Sequence, residues 1–165
     1  MPTQPASSGR SIRRVFVANR GEIAVRIVRA CHALGLESVA GVSEADRHSL
    51  AAQIADDVEL IGPALASESY LNIGRVVDAA RRSGCNALHP GYGFLSERPA
   101  LARACAEAGI EFIGPSPEAI EQMGDKITAV KLAEAAGVPR VPGSGALASV
   151  AEAAELARAI GYPVR

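Results

Sequence analysis

Short apolar runs alternate along the chain with stretches whose apolar residues fall three or four apart, the marks of buried parallel strands and of amphipathic helices. The first run predicts a strand from Arg14 to Ala18, and Ile23, Ile27, Ala30 and Leu34 then predict a helix with one apolar face, ended by Gly35. A second strand at Ser38 to Val42, a short helix near Ser49 to Ala55 and a third strand at Val58 to Ile61 follow. A helix begun by Asn72 carries Ile73, Val76, Val77 and Ala80 as its buried stripe. Beyond it come a strand at Ala87 to His89, a helix from Pro99 to Ala108 and a strand at Glu111 to Ile113. Strands and helices alternating over short connections require right-handed crossovers, so the predicted fold class is α/β, a Rossmann-like open parallel sheet covered on both faces.

Past Gly114 the pattern changes to two short helices, Ser116 to Met123 and Asp125 to Ala136, with no strand between them. They read as a helical connector. Val138 to Ala148 has the Pro, Gly and Ser content of a boundary, and Ser149 with Glu152 forms a capping-box signature for a helix ending near Gly161. Tyr162-Pro163-Val164-Arg165 then reads as the opening of another strand. One helix and one strand cannot bury a core. The expected organisation is therefore a flexible tail over residues 1–12, a Rossmann-like domain over 13–115, a helical connector over 116–143 and the truncated start of a second domain over 144–165.

Composition narrows the partners. The 165 residues are 48% hydrophobic and 21% charged, as in a globular domain. The 17 basic and 18 acidic residues give a net charge of −1, which supplies no overall positive field for a nucleic acid. No apolar run approaches the ~20 residues of a membrane helix, so neither a nucleic acid nor a membrane is expected as partner. Cys31, Cys85 and Cys105 form no C-x-x-C pair and are odd in number, which indicates neither a disulfide framework nor a zinc cluster and makes a reducing cytoplasm the simplest compartment. The first fourteen residues carry three arginines and no acid, as transit peptides do, but two prolines and the lack of an apolar face favour a loose tail.

Ligands of an open parallel sheet sit beyond the carboxyl ends of its strands, where three turns are informative. Asn19-Arg20-Gly21-Glu22 holds one glycine where a dinucleotide site would show three, so NAD is not expected even though Asp46 mimics the ribose-binding acid. The alternative is a tight turn with a satisfied cap. In His89-Pro90-Gly91-Tyr92-Gly93-Phe94-Leu95-Ser96-Glu97, two of the chain's six aromatic residues stand among flexible glycines, an arrangement suited to a small polar, ring-shaped ligand. Tyr92, Gly93 and Glu97 are read as functional there, and Phe94 and Leu95 as plugs of the sheet edge. In Met123-Gly124-Asp125-Lys126, a lysine in a first helical turn opposes the helix dipole unless an anion such as phosphate lies beside it; a solvated lysine swung away is the other reading. Arg26 and Arg29, about 60° apart on the first helix, suit a subunit interface or a solvated face. The histidines lack ligand spacing, so no metal site is assigned, and neither a Ser/His/Asp set nor a G-x-S-x-G elbow is recognised.

Val17-Ala18-Asn19-Arg20-Gly21-Glu22-Ile23-Ala24, the His89 to Glu97 loop, Phe112-Ile113-Gly114-Pro115 and Met123-Gly124-Asp125-Lys126 together resemble the amino-terminal part of biotin carboxylases, in the right order and over nearly the whole chain from Arg13. The likeness extends to Val138-Pro139 and Gly161-Tyr162-Pro163-Val164. It implies a ligase that uses ATP and Mg2+ to activate bicarbonate and then carboxylates biotin on a carrier protein or domain, with a Rossmann-like domain preceding an ATP-grasp fold. The second domain, over 144–165, would be the start of that ATP-grasp domain. By the same likeness Lys126 contacts ATP, Tyr92, Gly93 and Glu97 line the biotin and bicarbonate side, and Arg26 and Arg29 lie at a homodimer interface. A carboxyltransferase subunit would be a further partner. The family's second nucleotide lysine, glycine-rich phosphate loop, Mg2+ ligands and enolate-stabilising arginine are not among the 165 residues, so the chain alone is expected to be inactive. Two other readings compete: a stand-alone nucleotide- or ligand-binding module, and a fragment that dimerises with intact subunits.

Overall fold

The computed structural model describes residues 11–124, 126–139 and 147–162, with the side chains of residues 126 and 127 outside that description. The chain divides into two compact units, Met1–Ile120 and Glu121–Arg165.

In the first unit five strands form one parallel sheet: β1 (Arg14–Val17), β2 (Glu37–Ser43), β3 (Asp57–Gly62), β4 (Ala87–His89) and β5 (Glu111–Phe112). Their spatial order is β3-β2-β1-β4-β5. Helices α1 (Gly21–Ala33), α2 (Leu50–Ile54), α3 (Ile73–Arg82) and α4 (Pro99–Glu107) make the connections, and α5 (Pro117–Gly124) follows β5. Alternation along β1 shows why the strand is apolar from Val15 to Val17. Val15 and Val17 face a core with Ala24, Ile27, Val28 and Cys31 of α1, while Phe16 faces the opposite core with Val76 of α3 and Leu101 of α4. Both faces are buried, as a sheet with helices on each side demands.

The predicted strands and helices of this unit are all present, with ends moved by a residue or so. Ser49 and Asn72 cap α2 and α3 by accepting the amides of Ala52 and Arg75 at 3.3 and 3.0 Å. The face of α1 differs from expectation. Its buried stripe is Ala24, Ile27, Val28 and Cys31, whereas Ala30 is exposed and Leu34 is 73% exposed. Small residues let α1 lie close to the sheet, and Leu34 falls at the C-cap, beyond the last turn that reaches it. Gly41 of β2 shows the same economy of space: a Cβ there would lie 2.6 and 2.7 Å from ring atoms of the fully buried Phe16.

The second unit contains α6 (Lys126–Ala135) and α7 (Val150–Ile160). Ser149 caps α7 as predicted, its Oγ accepting the Glu152 amide at 3.2 Å; the Glu152 carboxylate, which a capping box would place on the Ser149 amide, reaches one residue further back to the amide of Ala148 at 2.8 Å. The strand expected from Tyr162 falls largely outside the described residues.

Candidate functional site at the switch point

The sheet order reverses between β1 and β4, because one connection leads from β1 toward β2 and the later one crosses back to β4. The loops leaving these neighbouring strands therefore part to opposite faces at the carboxyl edge, the place where open parallel sheets commonly bind ligands. These are the loops that hold Asn19-Arg20 and the His89 to Glu97 segment.

One side chain joins them. Asn19 is 5% exposed, and its Nδ2 donates to the carbonyls of Pro90 at 2.7 Å and Tyr92 at 2.8 Å, while its Oδ1 accepts the Arg20 amide at 2.9 Å. A buried carboxamide with its donors and acceptor used fixes the path of both loops. Gly91, at φ +68°, lies so close that a Cβ would stand 2.7 Å from Asn19 Nδ2. The Gly91 amide in turn donates to His89 Nδ1 at 3.0 Å, which assigns the proton of a neutral imidazole to Nε2. Burial lowers the pKa of His89 and reinforces that neutral form.

The loop so held displays Tyr92, 60% exposed, with Gly93 and Glu97 exposed in the same segment. Gly93 has φ +66° with open space where a side chain would be, so a ligand can approach its backbone. Leu95 is buried in the core as a plug. Phe94 is half-buried against that core but has a second relation. Its ring stacks on Tyr70 with centroids 5.2 Å apart, and the Arg20 guanidinium lies over both rings. Tyr70 is 1% exposed and its hydroxyl donates to Asp46 Oδ2 at 2.8 Å. Burial first, and then that carboxylate, push the phenol pKa up to about 12. Asp46, which resembles a ribose-binding acid in the sequence, is thus engaged by Tyr70, by Ser43 Oγ at 2.7 Å and by Arg20 at 3.9 Å.

The remaining predicted residues belong to other elements. Arg26 and Arg29 are exposed on the outer side of α1. Lys126 opens α6, and its side chain is outside the described residues. The sequence pattern does not single out Asn19, Arg20 or Tyr70 individually; only the position of Asn19-Arg20 directly after a buried strand marks their turn. A cavity of about 640 Å³ lies elsewhere, along edge strand β5, lined by Ala102, Ala106, Ile110 and Phe112 among others. None of the functional residues named from the sequence lines it.

At the opposite, amino edge of the sheet a Ser/His/Asp cluster exists that the sequence does not reveal. Ser38 Oγ donates to Asp56 Oδ2 at 2.8 Å and lies 3.2 Å from His32 Nε2, which is itself 3.0 Å from Asp56. Ser38 is fully buried, which denies a substrate access to its hydroxyl, so the cluster is a structural staple. The Ser38 amide foremost, then its hydroxyl and His32, hold the Asp56 carboxyl at about 2 instead of 3.8. The unfolded chain binds that proton more readily, so the staple's contribution is complete above pH 3.8 and fades as pH falls toward about 2. Asp56→Asn keeps an acceptor oxygen without titrating; urea denaturation across that range should give it a shallower loss of stability with acid than wild type. Equal slopes would assign the acid sensitivity to other groups.

With the geometry in place, comparison decides the family. Residues 11–120 match the family described as biotin carboxylase, N-terminal domain. The chain belongs to that family. It is 54% identical over 153 residues to a biotin carboxylase of Halalkalibacterium halodurans, covering 92% of this chain and 34% of the relative. It is 51% identical over 154 residues to biotin carboxylase 1 of Bacillus subtilis, covering 93% of this chain and 34% of that protein. Among solved structures, the biotin carboxylase domain dimer of the Hydrogenobacter thermophilus 2-oxoglutarate carboxylase, in complex with MgADP, ADP and bicarbonate, superposes with a TM-score of 0.83 at 47% identity. That match covers 93% of this chain and 34% of the other. The chain thus spans about a third of the length of these carboxylases. Among the described residues no helix is long and apolar enough to cross a membrane.

Proposed function

We propose that the chain is the amino-terminal portion of a biotin carboxylase and provides the part of the active-site rim where biotin and bicarbonate are received. The observation that carries this reading is Asn19, buried and bonded across the switch point, which holds Tyr92 out at the rim. Tyr92 offers a flat aromatic face to the fused rings of biotin, and Gly93 an unobstructed backbone. Glu97 brings a carboxylate to the same loop, able to hold or accept a proton. Lys126 would neutralise phosphate charge of ATP at the head of α6. Mg2+ bound with ATP would supply charge stabilisation for phosphoryl transfer; among the described residues no three of His, Cys, Asp or Glu are grouped to hold it.

In the assembled enzyme the carrier protein or domain would deliver biotin, a carboxyltransferase subunit would take the carboxyl group onward, and Arg26 and Arg29 would face a second copy of the chain. Residues 116–143 would serve as the helical connector and 144–165 would begin the ATP-grasp domain; of these, 125, 140–146 and 163–165 lie outside the described residues. Three buried free thiols suit a reducing cytoplasm.

With ATP, Mg2+, bicarbonate and free biotin, the 165-residue chain alone is expected to show no biotin-dependent ATP hydrolysis; turnover above a protein-free blank would refute the reading of an incomplete enzyme. Grafted in place of the matching segment of the Halalkalibacterium halodurans biotin carboxylase, residues 11–120 are expected to sustain biotin carboxylation. A folded but inert graft would count against the family role proposed for the rim.

A further inference from the structure

Phe94 is the one non-glycine residue with positive φ among the described residues, at +46°. An L-residue with an aromatic side chain resists this conformation, because its Cβ crowds the following carbonyl. Something must hold it. Besides the Gly91 amide's bond to His89 Nδ1, the loop's own hydrogen bonds include the Ser96 amide to the Gly93 carbonyl at 2.9 Å and the Arg98 amide to the Leu95 carbonyl at 3.0 Å. None of these requires Phe94 to turn left-handed. The ring does: at +46° it lies stacked on Tyr70, with an interplanar angle of 16°, directly beneath Arg20.

Arg20 comes from the other loop of the switch point. Its guanidinium carbon is 5.4 Å from the Phe94 centroid and 5.7 Å from that of Tyr70, within the range of a cation–aromatic contact. Tyr70 cannot yield, since it is buried and its hydroxyl is bonded to Asp46 and to the Ser43 amide at 3.1 Å. The Arg20–Asp46 separation of 3.9 Å, with Arg20 half exposed, makes the ion pair the weaker anchor and the aromatic faces the stronger.

We propose that Arg20 is a positioning residue: its planar cation rests on Phe94 and Tyr70 and locks the His89 to Glu97 loop in the strained form that presents Tyr92 and Gly93. The consequence for ligand binding rests on the reading of Tyr92 and Gly93 given above; the lock itself does not. A lysine at this position keeps the charge but loses the flat surface, so it is not an equivalent.

The test is amide hydrogen exchange on the 165-residue chain. Arg20→Ala, which removes the cation, is expected to speed exchange of the Ser96 and Arg98 amides by about five- to thirty-fold, the factor a partly desolvated cation–aromatic contact commands, and Arg20→Lys by a smaller factor, because the charge stays and only the flat surface is lost. The β1 and β4 amides should remain within about twofold of wild type, and the upfield ring-current shift of the Arg20 side-chain protons should have no counterpart in the lysine variant. Asp46→Asn removes the ion pair yet keeps an acceptor for Tyr70, and should leave loop exchange within about twofold. Unchanged exchange in Arg20→Ala would overturn the lock, as would an equal loosening in Asp46→Asn. No ligand enters this readout. A loop that loosens as expected beside an inert graft would sink the carboxylase reading and leave the lock standing.

Discussion

Replacing Gly91 with alanine is expected to lower the unfolding free energy by about 2–5 kcal/mol. Two costs combine. The backbone at φ +68° is left-handed, which costs an L-residue about 1–2 kcal/mol. The new Cβ would also lie 2.7 Å from Asn19 Nδ2 and 3.1 Å from Asn19 Cβ and Cγ, so the carboxamide must withdraw from its bonds to the Pro90 and Tyr92 carbonyls. Leaving the buried Pro90 carbonyl unpaired adds about 1–3 kcal/mol. Gly93 supplies the control, because it has nearly the same φ of +66° with nothing within 4 Å of its Cβ position. Gly93→Ala should therefore carry the backbone cost alone. Urea denaturation of the two variants isolates the Asn19 contribution as their difference, and equal losses would show that the bridge between the loops contributes nothing to stability.

How much of this is legible in the sequence follows from how far apart the interacting residues lie. Strands such as Val15 to Ala18 are legible because burial on both faces makes them apolar without interruption. The His89 to Glu97 loop is legible because glycines and aromatics gather where no core element needs them. The function of Asn19 is not, since its partners are 71 and 73 residues away and a lone asparagine after a strand fits any turn. The Ser38, His32 and Asp56 cluster is hidden for the same reason, with separations of 6 and 18 residues from Ser38 and nothing local to pair them. Phe94 reads as a plug, and its apolarity does place it against the core. Its left-handed backbone and the arginine above it depend on Tyr70, which only the folded sheet brings near. The face of α1 is misread from periodicity, which weighs Leu34 above Ala24. Close approach of helix to sheet favours the smaller residue instead.

Phe16→Ala should be the most destabilising single change in the sheet, lowering stability by about 3–5 kcal/mol. Phe16 is fully buried in the central strand β1, opposite Val39 of β2 in the register, and its ring reaches diagonally over Gly41 two residues on. The glycine is the complement of the ring. Gly41→Ala alone sets a methyl 2.6 Å from the ring tip and 3.3 Å from the Val17 carbonyl, an overpacking expected to cost about 1–3 kcal/mol. In the Phe16→Ala background the same methyl enters the vacated volume, so its effect should fall to about zero or turn stabilising, with a coupling on the order of 1–3 kcal/mol. Chemical denaturation of the four proteins closes this cycle, and additive losses would show that ring and glycine are not packed as described. The rim depends on the same fit. β1 runs directly into Asn19, so a sheet that resettles around a missing ring shifts the carboxamide against the Pro90 and Tyr92 carbonyls, and the double variant should recover part of the loop protection that Phe16→Ala loses.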